Sequence, residues 1–171
     1  MEIAGEIGQV GGSFAPETGV CSHSSVSEPR ITTTKLEFPY SRTLGPVVGA
    51  FLAGLREGKL LGIRGKDGRV LAPPLEYDPE TGESLGTDMV AIGPEGTVVA
   101  WTWVDAPSPK HPLDHPFSFA LVKPDGADTA MVGAVDAGSA EAMSSGMRVR
   151  PRFAKEPHNV ITDLEAWEPV A

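Results

Sequence analysis

The sequence predicts a mainly β fold: an N-terminal amphipathic helix, a pair of short glycine-turn hairpins, and then a small barrel of five strands. Three observations predict it. A helical apolar stripe occurs once, between Leu44 and Leu55, whereas after residue 85 apolar residues alternate with period two. Twenty glycines and sixteen prolines punctuate the chain and argue against long helices. The strand–helix–strand rhythm that builds parallel sheets is missing.

Residues 1–34 are rich in Gly, Ser, Thr and Glu without a sustained period, and read as an extended or flexible N-terminal arm. Residues 35–84 carry the helix and the hairpins, and residues 85–171 the barrel. In the helix Leu44, Val47, Val48, Phe51, Leu52 and Leu55 fall on one stripe. Ser41 or Thr43 is expected to cap its start, Pro46 suits the first turn, and Gly58 the end. The stretch "IRGKDGRVLAPPLEYDPETGES", Ile63 to Ser84, then sets the turns Lys66-Asp67-Gly68 and Glu80-Thr81-Gly82 on either side of a strand-like run and Pro73-Pro74.

In "TVVAWTWVDA", Val99, Trp101 and Trp103 share one face and Val98, Ala100 and Val104 the other, so this strand is expected to be covered on both sides. "FSFALVKP" puts Phe117, Phe119 and Leu121 together, and "TAMVGAVDA" is a further run. "MRVRPRFA" alternates Met147, Val149 and Phe153 inward with Arg148, Arg150 and Arg152 outward. "GSAEAMSSG" holds at most a short helix, and "NVITDLEAWEPV" closes the chain with a less regular strand. Five strands with one short helix between the later ones fit an OB-fold barrel, with an open β-sandwich as the rival.

Chemistry is sparse. The net charge of −9 opposes contact with a phosphate backbone. An OB-fold that binds single-stranded nucleic acid is the alternative function, resting on the Val99, Trp101, Trp103 row as a stacking platform. No apolar run reaches the ~18 residues of a membrane span, and no basic segment leads an apolar one at the N-terminus. The single cysteine, Cys21, excludes an internal disulfide and any multi-cysteine metal site, which fits a cytoplasmic protein. Asp67, Asp78, Glu80 and Glu83 do not form a calcium loop, because counting from Asp78 the sixth position is Glu83 and the twelfth Met89. Cys21 and His23 lie in the arm, without the enclosure a nucleophile needs. His111, Asp114 and His115 sit among three prolines and read as surface loop residues. No nucleophile–base pair, phosphate loop or ligand cluster is found, so no catalytic and no metal residue is assigned.

The serial order of parts is more specific. A helix ending "LREGKLLG" precedes "R..DGRV..PP...DP.TGE", then "GTVVAWTWVDAPSPKHPLDHPFSFALVKPDG", then "VGAVDA…GMRVRPRF". Over residues 36–170 this resembles the acyl-CoA-associated OB-fold family, small proteins with an N-terminal helix, a rubredoxin-like zinc ribbon and a C-terminal OB-fold. The resemblance implies a non-catalytic partner of a thiolase-superfamily enzyme acting on acyl-CoA thioesters. Such complexes make or break carbon–carbon bonds in sterol, lipid or aromatic metabolism, and a heteromer with two copies of this chain is expected. The family's ribbon carries Cys-x-x-Cys-Gly, a Pro-Pro step and Cys-Pro-x-Cys-Gly. Here Arg64, Asp67, Asp78 and Thr81 stand at the cysteine positions, while Gly68, Pro73, Pro74, Pro79 and Gly82 remain.

The resemblance therefore implies a degenerate ribbon, with an Arg64–Asp78 or Arg64–Asp67 ion pair as a weak substitute cross-link. Five basic residues against two acidic ones between Arg56 and Arg69 set Lys59, Arg64, Lys66 and Arg69 as candidates for coenzyme A phosphates, against the alternative of an ordinary basic surface. The chain alone is expected to bind no cofactor and no zinc, and to meet a coenzyme A thioester in the complex. Elemental analysis of protein purified without added metal should find no stoichiometric zinc; about one zinc per chain would refute the loss of the site.

Overall fold

The computed structural model describes residues 43–170. The arm at 1–34, with Cys21 and His23, and the candidate cap Ser41 lie outside the described residues.

Helix α1 (Pro46–Arg56) opens with its proline in the first turn, where a missing N–H costs nothing. Gly45 occupies the N-cap and no side chain caps it, so Thr43 does not play the expected role. At the other end Gly58 turns left-handed at φ 71°, and Lys59 N–H returns to the Gly54 carbonyl at 2.8 Å. The buried stripe is narrower than the sequence suggests. Val47, Phe51, Leu52 and Leu55 face inward, whereas Leu44 precedes the helix and stays exposed.

Beside α1 lies a three-stranded antiparallel sheet in the order β2-β1-β3, made of β1 (Leu60–Arg64), β2 (Val70–Leu71) and β3 (Met89–Ile92). Its third strand comes from beyond residue 84. Val47 of the helix packs with Ile63, Leu71 and Leu85. The remaining strands close a barrel in the order β4-β5-β6-β8-β7: β4 (Gly96–Val104), β5 (Phe117–Pro124), β6 (Met131–Val135), β7 (Arg148–Phe153) and β8 (Leu164–Pro169). All its neighbours are antiparallel except β6 and β8, which run parallel. A single 3-10 turn, Ala140–Ala142, takes the place of the short helix. Phe51 and Leu55 share one continuous core with Val98, Val122, Val149 and Trp167, so the helix and the barrel bury each other's apolar surface.

The facing of β4 differs from expectation. A β-bulge between Val98 and Ala100 shifts the phase of β4 by one residue. Val98 before it and Trp101 and Trp103 after it lean into the core, while Val99 is 52% exposed. The strand is therefore covered on one side only. In β5 the inward row is Ser118, Ala120 and Val122; Phe117, Phe119 and Leu121 line the outer face. Small residues face inward because Trp167, fully buried on β8, fills the interior.

The indole of Trp167 lies against the backbone of Gly133, where a Cβ would meet Nε1 at 2.6 Å and Cδ1 at 2.7 Å. Gly133→Ala is accordingly expected to lower the unfolding free energy by about 1–3 kcal/mol in urea titrations. A loss below about 0.5 kcal/mol would mean that the indole shifts freely.

Candidate functional site

The two glycine turns keep their shape through their own carboxylates. Asp67 accepts the Arg69 N–H at 3.0 Å and pairs with the Arg69 guanidinium; Asp78 Oδ1 accepts the N–H groups of Glu80 at 2.8 Å and Thr81 at 2.9 Å. The Arg69 hydrogen bonds hold Asp67 below the usual carboxylate range, and the N–H groups of Thr81 and Glu80 do the same for Asp78. Two ion pairs bridge turn to turn, Arg69–Glu80 at 3.0 Å and Lys66–Glu83, across a cleft of about 210 Å³.

The cross-link expected from Arg64 does not form. Its N–H bonds the Asp88 carbonyl on the β3 side, and its guanidinium lies 3.9 Å from Asp88 and donates to the Gly68 carbonyl at 3.4 Å. A zinc ion does not fit this donor set. One position carries a guanidinium, two carry carboxylates engaged by local N–H groups, and the Thr81 hydroxyl accepts the Glu83 N–H at 3.3 Å. Among the described residues no cluster of His, Cys, Asp or Glu is arranged to hold a metal.

Of the four basic candidates, the structure brings Lys66 and Arg69 into one cleft. Lys59, paired with Glu57 at 2.8 Å, lines a different groove with Ile92, Pro151 and Phe153, and Arg64 borders neither. Each of the four thus faces a carboxylate of its own chain. Sequence reading missed the residues that dock the turn pair onto the barrel. In the β5–β6 connection Asp128 accepts the Val70 N–H at 2.8 Å; the Thr129 hydroxyl accepts the Ala72 N–H at 2.7 Å and donates to the Ala72 carbonyl at 2.9 Å. Partners 57 and 58 residues apart leave no local signal.

The arginine row of β7 is matched internally. Arg148 bonds Glu95 at 2.8 Å and both oxygens of Asp125; Arg152 bonds Asp136 at 2.9 Å, Glu165 at 3.0 Å and Glu168 at 2.9 Å. Arg150 reaches Glu168 at 3.5 Å. In the 105–116 loop His115 is exposed, as expected, whereas His111 is half-buried. The His111 ring stands edge-on to Phe117 and Phe119 at 5.8 and 5.9 Å, so the loop covers that end of the outer face. His115 sits between two carboxylates, Nδ1 at 3.0 Å from Asp114 and Nε2 at 3.2 Å from Asp136.

The barrel is the part of the chain that a known family matches. Residues 89–154 match the family of the ChsH2 C-terminal OB-fold domain. The match runs from β3 through β7, and β8 completes the ChsH2-like barrel outside it. Two solved structures resemble the chain. One is a DUF35-family protein of unknown function from Sulfolobus solfataricus, 20% identical over 63% of this chain and 78% of that one, with a TM-score of 0.51. The other is an Ltp2-ChsH2(DUF35) aldolase, 20% identical over 75% of this chain and 98% of that one, with a TM-score of 0.54. At this identity they show the fold. Comparison with curated proteins gives no match. No helix among the described residues is long and apolar enough to cross a membrane.

In the ChsH2-like barrel His115 ties the 105–116 loop to the end of β6. A neutral imidazole donates one proton, so satisfying both carboxylates requires the imidazolium. Asp114 and then Asp136 accordingly raise the His115 pKa above its ordinary value. Burial alone would raise Asp136, but hydrogen bonds from Arg152 and His115 outweigh it and hold that carboxyl low. A raised histidine stabilises the fold fully below its unfolded value and loses that contribution as pH rises through the folded one. His115→Gln should therefore lower the melting temperature more at pH ~5.5 than at pH ~8.5, and NMR titration should place His115 above ~6.5. A titration at or below that value would contradict the double pairing.

Proposed function

We propose that this chain is a non-catalytic accessory subunit of a thiolase-like enzyme complex that acts on acyl-CoA thioesters, with carbon–carbon bond cleavage or formation as its chemistry. The likeness to the Ltp2-ChsH2(DUF35) aldolase over three quarters of the chain carries this reading, because it extends beyond the residues 89–154 that the ChsH2 barrel family matches. The described residues support it. The carboxylates and arginines of the turn pair and of β7 are engaged in turns, strand edges and ion pairs, and on this reading catalysis belongs to the partner. The turn pair is then a degenerate zinc ribbon, kept for its shape.

Within the complex Lys66 and Arg69 are best placed to meet coenzyme A phosphates. They share one cleft, and a phosphate there would have to displace their exposed partners, Glu83 from Lys66 and both Glu80 and Asp67 from Arg69. Lys59 and Arg64 stand apart from that cleft. The reading places two copies of the chain with a dimeric thiolase-like enzyme in the cytoplasm. Nucleic-acid binding gains no support, since Trp101 and Trp103 lean into the core and the β7 arginines are already matched.

Co-expression with a thiolase-superfamily protein of the same organism tests the proposal. Co-elution on size exclusion, and acyl-CoA turnover that needs both proteins, are expected. Separate elution at micromolar concentration, with the thiolase-like protein fully active alone, would rule it out.

A further inference from the structure

Strand β4 leaves part of its backbone without a neighbour. Gly96 and Thr97 pair with β7 as well as β5, and Val98 exchanges hydrogen bonds with Gly146 and Met147. Beyond the bulge, Ala100–Val104 pair with β5 alone among the described residues. Free edges are usually guarded by lysine, proline or an inward charge. The edge sequence Ala100-Trp101-Thr102-Trp103-Val104 has none of these.

The outer face beside that edge is equally bare. The register sets Ala100, Leu121 and Val132 in one row across three strands. Val132 is 66% exposed and Leu121 39%, and Val99, at the bulge next to Ala100 in the chain, is 52% exposed. Ala100, Leu121 and Val132, together with Thr102 and Phe119, line a shallow groove of about 260 Å³ that contains no ionisable group. A contiguous apolar strip next to an unguarded strand edge is the pattern of a surface covered by another chain. A second copy is a poor occupant, because each copy carries a net charge of −9 and two would repel.

Resting on the accessory-subunit reading, we propose that the partner enzyme lays an extended, uncharged segment along the Ala100–Val104 edge, with its side chains over Leu121 and Val132. Backbone hydrogen bonds would extend the sheet, and the apolar row would select the segment.

The test is the affinity of the full chain for the thiolase-superfamily protein that co-expression identifies as its partner, measured by calorimetry. Val99→Lys with Val132→Lys alters two side chains that are mostly in solvent, so the melting temperature should hold while binding weakens roughly tenfold or more. Ile161→Lys, equally exposed but outside the strip, should leave binding unchanged. If the wild type binds and the double variant binds as tightly, the strip is not the docking face and the accessory role survives. If the wild type does not bind, the accessory role fails and this inference with it. A wild-type dimer seen by light scattering and abolished by the double variant would put a second copy on the strip and overturn the proposal.

Discussion

The arrangement depends on a strand of two residues. β2 is too short to hold itself, and its outer edge would leave backbone groups of Val70 and Ala72 without partners. Asp128 and Thr129 supply them from the β5–β6 connection, and the Asp128 N–H donates to the Val70 carbonyl at 2.7 Å. Each such bond contributes only about 0.5–1.5 kcal/mol net, but leaving the groups buried and unpaired costs about 1–3 kcal/mol each. The barrel thus restrains β2, and with it the turn Lys66-Asp67-Gly68 that leads into it. Helix, sheet and barrel stand or fall together through the core they share.

Charge follows the same economy. The chain is acidic overall, and the arginines of β7 each face carboxylates of their own chain. Arg148 and Arg152 fasten β7 to its neighbours through Glu95, Asp125, Asp136, Glu165 and Glu168. The β7 arginines then act as seams between elements, and the surface keeps a diffuse negative field. What remains without charge is the outer face of β4, β5 and β6, so recognition there has to rest on shape and backbone bonding.

Much of this was legible from residue order. The helical stripe, the glycine turns and the alternation in β7 are local patterns, and the structure keeps them. The losses lie where a local pattern is interrupted or a distant residue decides. The bulge at Val99 inserts one residue and reverses the apparent face, which alternation alone does not reveal. Phe117 and Phe119 look like interior residues by size, but Trp167 already occupies the interior and Leu113 and His111 cover Phe117 from outside. The bridges of Arg69 to Glu80 and of Lys66 to Glu83 depend on how close two turns come, which composition does not fix.

Trp167 also gives the barrel an internal optical gauge. Of the three tryptophans it alone is fully enclosed, and its indole N–H has no hydrogen-bond partner among the described residues. Dry, unbonded surroundings shift indole fluorescence towards the blue, and water moves it back. Trp101 and Trp103 are already partly wet, so a red shift on mild perturbation reports chiefly on Trp167. Its ring lies against Gly133 beside the parallel seam of β6 and β8, so the native emission colour tells whether that seam is shut, with no label added to the chain.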